Sequence, residues 1–262
     1  MKTRVLMVTM ALTGMVALAQ QPQQPPKEAT GNLPKAKSKE EAAAIKKITD
    51  AKTADEKIAA VDAFVTGFPT SAFKATALME AAESADANRD VAKAVSYGEL
   101  AIQADPQSFY AMLLVSGELA QHTQKYDLDK DEKLNKAEKY VNQALMIIAS
   151  NPKAPAGIGE KDWEAFQKDQ SAAAHKDLGL IAAARGKFDV AATEYKAAVD
   201  GLSAPDLVTM ARLADAYNQT GDFNDALTVA NKVLATENLN PTVKAFVEQA
   251  KANAQKGLAG KK

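Results

Sequence analysis

Apolar residues recur at helical intervals along most of this chain. Ile58, Val61, Phe64 and Val65 fall on one face, with Asp62 off it. Ser38 followed by Glu41, and Thr53 followed by Glu56, have the spacing of a capping box. They predict helices over 39–50 and 54–66. The second stops at Gly67-Phe68-Pro69, because proline disfavours helical geometry in the residue before it.

Further along, the pattern repeats. Leu178-Gly179, Gly186-Lys187-Phe188, Ala191, Tyr195 and Ala198 reappear 35 residues later as Leu213-Ala214, Gly221-Asp222-Phe223, Ala226, Ala230 and Val233. A period near 34 residues, each unit being two short amphipathic helices around a tight turn, predicts a helical repeat solenoid, whose stacked surface suits protein partners. Two units depart from the pattern. About nine extra residues, His122 to Asp131, separate the helices of one unit. In the next, no proline interrupts Glu160–Ala184, and Trp163, Phe166, Ala173, Ala174, Leu178 and Ile181 largely keep one face, which predicts an extended first helix of six to seven turns. Pro241 then opens a capping helix over 241–257. Val243, Phe246, Val247 and Ala250 form its inner face, and Lys244, Glu248, Lys251 and Asn253 its polar outer side. Residues 258–262 read as tail, with Gly257 at the start of the fraying.

The first residues are expected to lie outside this fold. Lys2 and Arg4 precede the apolar run Val5–Leu18, and Ala17-Leu18-Ala19 supplies a small-x-small cleavage site. A run of 14 residues falls short of the roughly 20 that span a bilayer, so 1–19 read as a signal peptide cut after Ala19. The mature protein is then periplasmic or secreted. The Gln/Pro-rich stretch 20–37 reads as a disordered linker. The chain has no cysteine, which excludes a lipid anchor on that residue, disulfides, Cys-ligated zinc and thiol chemistry. A formal charge of −1 with interspersed signs gives no reason to expect nucleic acid or an anionic membrane as partner. Aromatics make up only 6% of the chain while alanine recurs at helical spacing, which suits closely stacked hairpins.

With these features the chain resembles the tetratricopeptide repeat family over about 71–240. The small residues that let paired helices touch in that family correspond to Ala82, Ser116, Gly179 and Ala214 on the first helices. On the second helices they correspond to Ala94, Ala137, Ala191 and Ala226, then Ala101, Ala144, Ala198 and Val233. The first unit departs from the family in having Arg89-Asp90 at the turn glycine and Gly98 at a usual aromatic. The resemblance implies an all-α, right-handed superhelix of antiparallel helix pairs spanning 38–257. Its parts are an N-terminal hairpin 38–70, repeats at 71–106, 107–152, 160–204 and 205–240, and the cap at 241–257. It also implies a concave binding wall of first-helix residues: Met79, Glu80 and Glu83; Tyr110, Leu113 and Gln121; Lys176, Asp177 and Leu180; Arg212, Asp215, Asn218 and Gln219. Within that wall Tyr110, Leu113, Lys176, Arg212, Asp215 and Asn218 are the candidate groove residues. Lys176 and Arg212 resemble part of a carboxylate clamp, although Asp215 stands where an asparagine is usual. Tyr110 is the expected anchor, because aromatics dominate interface energetics.

Other chemistry is sparse. Asp127, Asp129, Asp131 and Glu138 hold positions one, three, five and twelve of a calcium loop, but Glu132 replaces the turn glycine, and a solvated acidic loop is the plainer reading. His122 and His175 lack any recognised catalytic or metal-ligating constellation, and Trp163 is expected to cover the junction between the second and third units. Neither an enzyme nor a cofactor is expected. The reading is a non-enzymatic scaffold of the cell envelope that holds a peptide or helix of unidentified origin in its groove. An envelope-protein assembly factor is the alternative, since the N-terminal hairpin resembles repeats of β-barrel assembly lipoproteins. A calcium-regulated protein centred on 122–138 is a further one.

Overall fold

Eleven α-helices follow one another in the computed structural model, which describes residues 35–150, 154 and 159–260. They are α1 (Lys39–Asp50), α2 (Ala54–Gly67), α3 (Lys74–Ala87), α4 (Val91–Ala104), α5 (Phe109–His122), α6 (Lys130–Ser150), α7 (Glu160–Ala184), α8 (Phe188–Gly201), α9 (Leu207–Thr220), α10 (Phe223–Leu234) and α11 (Pro241–Ala259). Among the described residues there is no strand, and no helix is long and apolar enough to cross a membrane. The expected leader, and the linker as far as Pro34, lie outside the described residues.

Local chemistry sets the helix starts. Thr53 Oγ1 accepts from the Glu56 N–H at 3.2 Å while Glu56 returns a bond to the Thr53 N–H at 3.2 Å, a complete capping box. At α1 the reciprocity is incomplete. Ser38 Oγ accepts from the Glu41 N–H at 3.1 Å, but the Glu41 carboxylate takes the Lys37 N–H instead of that of Ser38. Asp90, Asp206 and Asn240 cap α4, α9 and α11 with side-chain oxygens.

Each helix packs on its chain neighbours: α3 on α4, α5 on α6, α7 on α8 and α9 on α10 as hairpins, and each hairpin on the next. The seam residues explain this closeness. Ala82, Ala94, Ala101, Ser116, Ala137, Ala144, Ala191, Ala198, Ala214, Ala226 and Val233 have no exposed surface. At Gly179 a Cβ would stand 2.4 Å from the Tyr195 ring, so α7 meets α8 along a track that admits no side chain. Gly98, the departure in the first unit, fits the same logic: its missing Cβ makes room for Val115 of α5, which a Cβ would meet at 2.4 Å. The core is accordingly a chain of clusters, each shared by consecutive helices, as expected of a quasi-one-dimensional fold.

Three of the turns share one geometry. Gly186 (φ 74°) and Gly221 (φ 85°) adopt the left-handed conformation that closes α7 and α9, and Arg89 (φ 59°) adopts it at the end of α3. The capping helix also differs from expectation. It continues through Gly257 to Ala259, because the Phe223 ring lies where a Cβ on Gly257 would be, 2.3 Å away, and holds the last turn against α10.

Candidate functional site: the concave wall

The odd-numbered helices approach each other on one side of the stack. α5 touches α7, and α9 touches α11, whereas α6, α8 and α10 make no comparable contact with one another among the described residues. The side lined by α3, α5, α7 and α9 is therefore the inside of the curve. Arg212 of α9 demonstrates how tight the curve is: its Nη2 donates to Gln121 Oε1 of α5 at 3.2 Å, across a whole repeat.

Carboxylates dominate this wall. Glu80 accepts from Lys57 at 2.8 Å. Glu83, beside Glu80 and Asp86, has its pKa raised, first by burial and then by those like charges. Glu118 is the sole carboxylate of α5 and is only 8% exposed. Burial, then the neighbouring Asp86 and Asp177, push it up to about 7, while Lys176 opposes. Asp177 is 2% exposed; burial pushes it up to about 6 against the pull of Lys176 and Arg212. Its carboxylate lies flat on α5, where a Cβ on Gly117 would come within 3.3 Å of Oδ1. The Ser116 hydroxyl is turned toward Asp177, yet neither Ser116 Oγ nor Asp177 Oδ1 closes a hydrogen bond of ordinary length. Burial also raises Asp215, which a hydrogen bond from Gln219 partly offsets.

An aromatic group closes one end of the wall. Tyr110 stacks on Phe109 with centroids 4.4 Å apart and tilts against Phe166 at 5.9 Å; Trp163 stacks on Phe166 at 5.2 Å. Burial, with the Glu83 charge added, strongly suppresses ionisation of the Tyr110 hydroxyl. Trp163 and Phe166 share a small cavity with Phe109 and Ile148, and Gln167 donates to the Ile148 carbonyl at 2.9 Å, so Trp163 sits at the junction of the second and third units.

The structure brings Tyr110, Lys176, Arg212 and Asp215 to the concave side as half-buried residues. Two candidate groove residues are corrected. Leu113 is 3% exposed and belongs to the core between α5, α6 and α7. Asn218, also 3% exposed, donates to the Ala250 carbonyl at 2.8 Å and ties α9 to α11. The acidic loop does not converge on a point. Asp127 Oδ2 accepts from the Gln124 N–H at 3.0 Å and lies 3.3 Å from Lys133 Nζ, which also pairs with Asp129 at 2.9 Å. Asp131 is in the first turn of α6, and Glu138, further along that helix, pairs with Arg185 at 2.9 Å. No group of three His, Asp or Glu side chains able to hold a metal occurs among the described residues. His175 Nδ1 is 2.7 Å from Glu194 on α8.

Glu118 and Asp86 escaped the sequence reading. The one available signal was a carboxylate in the middle of the apolar helix Phe109–His122.

Residues 158–206 match the family model of the tetratricopeptide repeat. No curated protein matches the chain. A thermophilic TPR protein of Thermus thermophilus, known from its crystal structure, is similar at 19% identity over 75% of this chain and 90% of that one, with a TM-score of 0.49. The matched segment holds α7 and α8; α5–α6 before it and α9–α10 after it repeat its seam of small residues, and α3–α4 and α9–α10 repeat its closing turn. Residues 158–206 thus form a tetratricopeptide repeat within an all-helical stack of hairpins.

Proposed function

We propose that this protein is a non-enzymatic interaction module of the bacterial cell envelope that captures a peptide or helix of a protein partner along α3, α5, α7 and α9. Repeats of this family generally mediate protein–protein interaction, and their curvature supplies an extended preformed surface. The observation that carries the reading is the inner wall itself. Half-buried Tyr110, Lys176, Arg212 and Asp215 come from three consecutive repeats and share one face. A preformed face lowers the ordering cost that binding must overcome. Export rests on the leader pattern at Lys2, Arg4, Val5–Leu18 and Ala17-Leu18-Ala19.

In-cell crosslinking of the exported protein tests this, beside a folded Tyr110→Ala, Lys176→Ala, Arg212→Ala variant. The partner is expected to be lost from the variant. Its retention would move binding off the concave wall. Sequencing the N-terminus of the protein from the envelope fraction should begin at Gln20; an intact Met1 would refute export.

A further inference from the structure

Resting on the concave-wall reading, we propose that the wall recognises a cationic side chain, a lysine or arginine of the partner peptide, between Glu118 of α5 and Asp177 of α7.

Three carboxylates from three helices meet here, Asp86, Glu118 and Asp177, and their charges are incompletely answered. The nearest cation to Asp177 Oδ1 is Lys176 Nζ at 3.8 Å, beyond hydrogen-bond length. The neighbour of Glu118 Oε2 is His122 Nε2, also at 3.8 Å, and burial lowers the pKa of that imidazole, which disfavours its charged form. Arg212 is turned to Gln121. With the carboxyls ionised, Glu118 Oε2, Asp177 Oδ1 and Ser116 Oγ thus lack a hydrogen-bond partner of ordinary length although all three residues are more than nine-tenths buried; Glu118 can bond Asp86 only when one of the two carries a proton. Such groups cost free energy in isolation. An ammonium brings three donors and a guanidinium five, and either would convert mutual repulsion into charge-assisted bonds. A carboxylate-bearing ligand would instead add a fourth like charge. Burial first, and for Glu118 the charge of Asp86 and a hydrogen bond with it, raise the proton affinities of the two groups, so each costs more as a bare anion.

The test measures fluorescence anisotropy of dye-labelled hexalysine with the full chain. The variants are Glu118→Gln, Asp177→Asn and Tyr110→Ala, and Glu160→Gln serves as a charge-matched control outside the wall. Both wall substitutions are near-isosteric and remove a buried charge, so the fold is retained, which circular dichroism verifies. Binding is expected to weaken by about tenfold in Glu118→Gln and in Asp177→Asn, and to be unchanged in Glu160→Gln. Equal weakening in the control, or no binding of hexalysine at all, overturns the cation site. Loss in Tyr110→Ala alone also overturns it but leaves the concave-wall reading standing. Binding indifferent to all three wall variants removes both.

Discussion

Arg212 on α9 hydrogen-bonds Gln121 on α5 at 3.2 Å, although they are 91 positions apart and the whole of α6, α7 and α8 lies between them in the chain. In a fold built from neighbour contacts, this bond spans a repeat and fixes the curvature of the inner wall. A double-mutant cycle on Arg212→Ala and Gln121→Ala should therefore give a coupling of about 0.5–1 kcal/mol in urea unfolding. A coupling below about 0.3 kcal/mol, within the usual error of such cycles, would show that the wall keeps its shape without the pair. Because Arg212 also helps to hold Asp177 down, its loss should raise the Asp177 pKa further.

Gly179 permits a second prediction with an unusual sign. In a helix interior, Gly to Ala normally stabilises by about 1 kcal/mol. Here the added methyl would lie 2.4 Å from the Tyr195 ring, which is itself buried and unable to swing away. Gly179→Ala should therefore destabilise, and Gly179→Leu should cost on the order of 3 kcal/mol or more by overpacking. Adding Tyr195→Leu should recover part of the Gly179→Ala loss. Unchanged melting of Gly179→Leu would contradict the seam.

The pH dependence of stability should run downward from mildly acidic to neutral. The ordinary values for Glu118 and Asp177 are 4.5 and 3.8, and in the folded protein they rise to about 7 and about 6. Within these windows the folded chain holds protons that the unfolded chain has released, so stability falls as pH rises. The loss is complete only above about pH 7 and is on the order of 3 kcal/mol for the interacting pair. Asp90 and Asp127 have lowered pKa values through backbone hydrogen bonds and act oppositely, losing stability only as pH falls through the acidic range. Melting temperature should consequently peak near pH 5. Glu118→Gln should flatten the decline and melt higher than the parent at pH 7.5. Parallel curves for parent and variant would refute the assignment.

How much of this was legible beforehand depends on the kind of contact. The seam alanines, the caps and the long α7 are written in spacing along one helix, and spacing is what a sequence displays. The carboxylate group was not, because Asp86, Glu118 and Asp177 lie on three helices and become neighbours only when repeats stack. Leu113 and Asn218 were placed on the groove because adjacent inward-facing positions differ by a fraction of a turn, and the tight inner radius buries those nearest the neighbouring helix. The acidic spacing at Asp127, Asp129 and Asp131 suggested a cation, but Lys133, one turn into the following helix, already occupies two of the three. Gly257 reads as tail in the sequence because Phe223, whose ring covers it, belongs to another helix.

Arg89 offers the last prediction, on a residue that touches no candidate site. The turns after α3, α7 and α9 have the same hydrogen bonds. Asp90 N donates to Ala85 O at 2.9 Å, Lys187 N to Ala182 O at 2.9 Å and Asp222 N to Tyr217 O at 2.8 Å. In each, the preceding residue is left-handed, and two of the three are glycine. An L-residue with a side chain carries a penalty of roughly 1–2 kcal/mol there, partly offset by the greater unfolded-state freedom of glycine. Arg89→Gly should thus stabilise by about 0.5–1 kcal/mol, raising the melting temperature by about 1–4 °C for a domain of this size. The reverse change isolates the cause. Apart from its chain neighbours, no atom lies within 4 Å of where a Cβ on Gly186 would stand, so the left-handed backbone sets the cost of Gly186→Arg, about 1 kcal/mol. If Arg89→Gly lowers stability while Gly186→Arg is neutral, the left-handed turn is not what distinguishes the two residues.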